Sequence, residues 1–183
     1  HGVLRKQIEQ ITNWSIDGAE LDFEALKRNS KGRGSLYLYD ITEKNEKFSN
    51  KYDFLFLYDV LEHIENTSLF LDACSYHIKN KGLLYVNVPA LRILHSAYDI
   101  AAGHIKRYTK KLLSKELTDN GFKIVDIRYW GFSLVPLLII RKLITSKAEN
   151  SDAIITKGFK PPSPQINSLL KGLMSLETSL LKN

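Results

Sequence analysis

The chain has 183 residues, enough for one domain with a sizeable core. Hydrophobic residues make up 44% and charged residues 25%, which excludes disorder along the whole length, and the formal net charge is +6. The only cysteine, Cys74, excludes an internal disulfide and fits a reducing, cytoplasmic setting.

From Arg141 onward seven basic residues stand against three acidic ones, so this tail carries +4 of the charge. The lysines are spread out rather than clustered, and aromatic residues do not interleave with them in the manner of a nucleic-acid surface. A solvated surface is therefore expected, and nucleic acid is not expected as a partner. The first residues lack the apolar run of a signal peptide. The longest apolar stretch, Phe132 to Ile140, is too short to span a bilayer, which needs about 20 residues. Together with the basic tail it leaves peripheral membrane contact, and a lipid-like ligand, as one reading; a core helix is the other.

In chain order, His1-Gly2 is followed at once by a helical pattern with Leu4, Ile8 and Ile11 on one face. A strand over Ser15 to Leu21 follows, and Glu20 stands near its end. An acid about 20 residues beyond a glycine turn is placed to hold ribose hydroxyls, although acids are common in surface turns. Phe23 to Asn29 reads as a helix capped by Asp22, with Leu26 inward. After the turn Ser30 to Gly34, Ser35 to Tyr39 is a second strand ending at Asp40-Ile41.

Phe54 to Tyr58 is a run of bulky apolar and aromatic residues without polar alternation, the pattern of a strand buried on both faces. It gives way abruptly to Asp59, Glu62 and His63. The next helix is expected to turn Leu69, Phe70, Ala73, Tyr76 and His77 or Ile78 inward, and to end with Gly82 in a left-handed cap. Leu83 to Val88 is a fourth strand, stopped by Pro89. The connection Ala90 to Tyr108 is rich in polar and aromatic groups, including His95, Tyr98, Asp99, His104 and Arg107. Thr109 caps a helix reaching Asn120, Phe122 to Trp130 is a fifth strand, and Phe132 to Thr145 is an apolar helix with Pro136 in its first turn. Lys147 to Ser163 is a loose segment, and Ile166 to Lys182 is a last amphipathic helix.

Alternating strands and helices point to an α/β fold with a doubly wound, mostly parallel sheet and helices on both faces. Three successive strands end in acids, Glu20, Asp40 and Asp59. In such a sheet, ligands bind beyond the carboxyl ends of the strands. Three acids in that position describe a pocket for a nucleoside. No Cys/His spacing of a metal site is present, and no metal is expected.

These pieces resemble a family. Gly2 stands where the end of a GCGxG-type turn would be. Gly18-Ala19-Glu20-Leu21-Asp22, Tyr39-Asp40-Ile41, Asp59-Val60-Leu61-Glu62-His63, Gly103-His104-Ile105-Lys106-Arg107-Tyr108-Thr109 and Asn120-Gly121-Phe122 follow it. The chain is similar to class I S-adenosylmethionine-dependent methyltransferases, in the branch acting on small molecules. The family's first and last strands have no counterpart here, so a Rossmann-like sheet incomplete at both ends is expected, in a sequence that is a piece of a longer chain.

The resemblance implies that Gly2, Glu20, Leu21, Asp40, Ile41, Tyr58 and Asp59 contact S-adenosylmethionine. It implies O- or C-methylation of a small molecule, with His104 (or His63) as base and Arg107 and Tyr108 on the acceptor. The expected organisation is a methyltransferase-like domain over residues 1–145, with the loop and helix of 146–183 packed on it. A nicotinamide-dependent oxidoreductase and a non-catalytic binding module are the alternatives.

Overall fold

The computed structural model describes residues 2–29, 32–145 and 163–180. His1, the loose segment as far as Pro162, and Lys182 lie outside the described residues. The chain divides into two compact units. The first holds residues 1–55 and 69–84, and the second 56–68 and 85–183.

The first unit begins with helix α1 (Val3–Ile11), strand β1 (Gly18–Glu20), helix α2 (Phe23–Arg28) and strand β2 (Leu36–Leu38). β1 and β2 pair in parallel, Gly18 beside Leu36 and Glu20 beside Leu38. Asp22 caps α2 as its sequence predicts, its carboxylate accepting from the Glu24 amide. Ala25 is the buried residue of α2, and Leu26 is half-buried.

The face of α1 that turns inward is not the expected one. Arg5 and Glu9 are buried, Leu4 is exposed, Ile8 is half-buried and Ile11 is 83% exposed. The cause is a polar hub. Glu9 accepts from the amides of Ile16, Arg33 and Gly34 at 2.9, 2.8 and 3.1 Å, while Arg5 donates to the carbonyls of Ile16 and Gly34. Hydrogen bonds to loop backbone thus outweigh the apolar stripe in fixing the helix's rotation.

Burial disfavours the Glu9 charge, but the three amides and the Arg5 guanidinium more than offset this and hold its carboxyl at about 2. With its pKa depressed on folding, Glu9 stabilises the fold fully above its ordinary value near 4.5, and that contribution is lost as pH falls towards 2. Glu9→Gln is expected to destabilise the chain at pH 7 by about 1–3 kcal/mol. Denaturant titrations should show the gap between the two proteins closing as pH falls from 4.5 towards 2; a gap independent of pH would contradict the assignment.

Strand β3 (Tyr52–Tyr58), helix α3 (Thr67–His77) and strand β4 (Ile78–Asn87) follow, with β3 beside β4. Leu57 is the buried residue of β3, whereas Phe54 is 39% exposed. The expectation of burial on both faces therefore fails. Among the described residues β3 has one strand neighbour, so it is not the middle of a wide sheet.

α3 buries Leu71, Ala73, Cys74 and His77, not Leu69, which is 53% exposed. His77 is a structural residue: its ring meets the Ala73 carbonyl and the Tyr39 hydroxyl at 2.6 and 2.8 Å. Burial pushes the Cys74 thiol up to about 12, which suits an inert core group. Gly82 does not cap this helix. α3 ends at His77, β4 starts at Ile78, and the left-handed residue is Lys81. Gly82 serves a close approach instead: a Cβ there would stand 2.5 Å from the Ile78 side chain and 3.0 Å from the Asp53 carbonyl.

In the second unit the long connection is ordered by a 3-10 turn (Arg92–Leu94) and a short helix α4 (Ala97–Ala101). Helix α5 (Lys110–Asp119) is capped by Thr109 onto the Leu112 amide, buries Leu113 and Leu117, and gives way to Gly121 at φ 84°. Residues 122–130 do not form the expected fifth strand. Val125 is 81% exposed there, and the Trp130 indole donates to the Asn87 side chain. A 3-10 turn (Phe132–Leu134) leads into helix α6 (Val135–Thr145), with Pro136 in its first turn as predicted. The last helix, α7, spans Pro164–Leu180 and buries none of its residues. Glu177 ties it to the turn before α6, accepting from the Phe132 and Ser133 amides and the Ser133 hydroxyl. Among the described residues no helix is long and apolar enough to cross a membrane.

Candidate active site

Parallel pairing sends the ends of β1 and β2 out along one edge of the first unit. The Tyr39 amide donates to the Glu20 carbonyl at 3.0 Å, which fixes the two ends together. Glu20 Oε1 accepts from the amides of Leu21 and Asp22 at 3.0 and 3.4 Å, and Leu21 beside it is 71% exposed. Asp40 Oδ1 accepts from the Thr42 amide and hydroxyl at 2.8 and 2.7 Å, starting a 3-10 turn that contains Ile41. Gly2, at φ 69°, opens α1 in a left-handed conformation that favours glycine. A carboxylate has acceptor sites beyond those used here. Two acids on one edge, with an exposed apolar side chain next to them, fit the ribose hydroxyls, amino group and flat face of an adenosine.

The remaining predicted residues lie in the second unit. Tyr58 ends β3 half-buried between Phe56 and Tyr85, and burial, then Tyr85, raises the pKa of its hydroxyl. Asp59 follows at φ 52° and accepts from the Asn87 side chain at 3.0 Å. The chain then turns through a 3-10 segment, Leu61–His63. Here Glu62 is 0% exposed, and neither of its carboxylate oxygens has a hydrogen-bond partner. Burial, with Asp59 adding to it and Arg107 opposing, pushes this carboxyl up to about 7.

α4 organises the rest. Ser96 and Asp99 form a capping box, with the Ser96 amide and hydroxyl donating to Asp99 Oδ2 at 2.9 and 3.0 Å. The other oxygen, Oδ1, takes His104 Nδ1 at 2.9 Å and Arg107 Nε at 2.8 Å. Asp99 is fully buried. Burial opposes its charge, but the His104, Arg107 and Ser96 contacts prevail and hold its carboxyl below the usual range. Arg107, 6% exposed, also donates to the Ala90 carbonyl at 2.9 Å. The resemblance puts Arg107 on the acceptor; in the structure its guanidinium pairs with a buried carboxylate.

The two histidines meet. His63 Nδ1 lies 3.0 Å from the Gly103 carbonyl, and the imidazole centroids of His63 and His104 are 4.9 Å apart at 74°. A carbonyl can only accept, so His63 Nδ1 carries the proton. A carboxylate favours the same tautomer in His104. Both neutral rings therefore keep their lone pair on Nε2.

Tyr108 is 1% exposed, and its hydroxyl lies 3.0 Å from Glu116 Oε2 and 3.3 Å from the Leu61 carbonyl. It braces the Leu61–His63 turn from below. A cleft of about 380 Å³ opens alongside, lined by Arg92, His95, Ile105, Lys106, Arg107 and Leu112. The sequence reading missed Asp99 as the centre of this cluster. The spacing Ser96-x-x-Asp99 was the available signal, since it is a capping box before a helix.

The crystal structure of a SAM-dependent methyltransferase from Archaeoglobus fulgidus is similar, with a TM-score of 0.55 and 15% sequence identity over 81% of this chain and 72% of that one. The fold is thus the Rossmann-like α/β fold of methyltransferases, as the alternation of elements implies. No curated protein matches the sequence. Residues 3–127 match the family model described as methyltransferase domain, and the chain belongs to that family of enzymes.

Proposed function

We propose that the chain transfers the methyl group of S-adenosylmethionine to a hydroxyl or carbon nucleophile of a small molecule, in the cytoplasm. The observation that carries this reading is the Asp99–His104 pair, 2.9 Å apart, in a chain of a methyltransferase family. S-adenosylmethionine, when bound, supplies an electrophilic methyl group on a sulfonium. Glu20 accepts from its ribose hydroxyls, Asp40 from its adenine amino group, and Leu21 packs on the adenine face. Gly2 and Ile41, in the same unit, contribute further contacts.

On the acceptor side, His104 Nε2 removes the proton of the nucleophile. Asp99 holds the ring in the required tautomer and stabilises the imidazolium that forms. His63 packs edge-on against that ring. Arg107 lines the neighbouring cleft, and Tyr108 supports the turn behind it. In that cleft Lys106 pairs with Glu116 and Arg107 with Asp99, so Arg92 is the residue offered to an anionic group on the acceptor.

The reading is tested by calorimetry with S-adenosylmethionine. Glu20→Ala is expected to weaken binding by about 10-fold or more, since a ribose contact of roughly 1.5–3 kcal/mol is lost. Its melting temperature without cofactor should stay unchanged. Equal affinity in the variant would remove Glu20 from the site, and stabilisation by a nicotinamide dinucleotide instead of S-adenosylmethionine would overturn the function.

A further inference from the structure

Glu62 poses a problem that methyl transfer does not solve. Its carboxylate is fully buried with neither oxygen hydrogen-bonded, an arrangement that is unfavourable unless something compensates the group. Arg107 offsets part of that cost, but its Nε is already committed to Asp99. Beside the carboxylate also stand the imidazoles of His63 and His104, each with Nδ1 already committed and a lone pair left on Nε2. Among the described residues, Glu62, His63 and His104 form a set of possible metal ligands, one donor atom from each lying within 4.8 Å of the others.

We propose that Glu62, His63 and His104 bind one divalent transition-metal ion of the zinc, manganese or iron(II) type. Two imidazoles with one carboxylate suit these ions better than magnesium or calcium, which prefer all-oxygen shells. The outer contacts are those a metal-binding histidine usually has. His104 leans on the Asp99 carboxylate and His63 on the Gly103 carbonyl, which fix both rings with Nε2 available. Gly103 itself is at φ 78°, and a Cβ there would stand 3.5 Å from His63 Nδ1, so the carbonyl is held close to the ring. Three protein ligands leave coordination positions open for water or an acceptor oxygen. An acceptor hydroxyl on the ion becomes more acidic, and its proton leaves to solvent. In the ion-loaded protein this replaces proton removal by His104. The sequence conceals the set because His63 and His104 are far apart and the carboxylate falls between no recognisable Cys/His pattern.

The site is independent of cofactor binding and is tested without it. The purified chain, stripped with a chelator, is titrated with Zn2+ by calorimetry and with Co2+ by visible absorption. One Zn2+ per chain is expected, with visible absorption bands from the Co2+ form. His63→Ala and Glu62→Gln should each weaken Zn2+ binding at least 10-fold, and Asp99→Asn about 10–100-fold through the loss of ring positioning. Absence of saturable binding, or unchanged affinity in His63→Ala, overturns the site. Because the His63 side chain is exposed, that variant folds even if Glu62→Gln does not. Zn2+ binding that persists in a Glu20→Ala chain with weakened S-adenosylmethionine affinity separates this site from the methyl-transfer reading.

Discussion

Asp99→Ala is expected to cost about 3–5 kcal/mol of stability. Four donors converge on this one fully buried carboxylate, namely Ser96 twice, His104 and Arg107. Removing it takes from the Arg107 guanidinium, 6% exposed, its carboxylate partner and leaves it the Ala90 carbonyl. It also removes the cap of α4. Asp99→Asn keeps the shape and some of the acceptor capacity, so its loss should be smaller. Guanidinium titration gives both values. An Asp99→Ala chain as stable as the parent would show that the pair with Arg107 is not held in solution.

His104→Ala should lower the turnover number by about 10²–10⁴, with affinity for S-adenosylmethionine unchanged within about twofold. The ring is half-buried and contributes through one polar contact and one edge contact, so folding should survive. The split between turnover and cofactor affinity is the informative part. Loss of both would mean that the ring shapes the cofactor site, and loss of neither would remove it from the chemistry.

The alternation of elements made the fold class legible, and local chemistry made several boundaries legible. Asp22, Thr109 and Pro136 act where the sequence predicts because caps and first-turn prolines depend on a few neighbouring residues. The failures share one physical origin. The inward face of α1 is set by Glu9 and Arg5 binding backbone that lies many residues away, which no helical periodicity can reveal. Gly82 answers to the Asp53 carbonyl across the sheet, not to the helix before it. A strand over residues 122–130 needed a neighbour that hydrophobicity alone could not guarantee. At the candidate site, His63, His104 and Arg107 were legible as chemistry-bearing types in a polar stretch. Glu62 was legible beside His63 as a titratable group past the strand, but its burial without hydrogen-bond partners was not, nor was the burial of Asp99 among four donors.

The attachment of α7 has a thermodynamic consequence. Among the described residues this helix has no fully buried side chain, only half-buried ones such as Leu170 and Met174, and Glu177 ties it to the turn before α6, so it contributes little to the apolar burial that makes unfolding cooperative. Its release and the melting of the core are then separate equilibria. A single melting temperature reports the core, while the population of docked helix follows the ionisation of Glu177, whose pKa is held low chiefly by the Ser133 backbone and side-chain contacts.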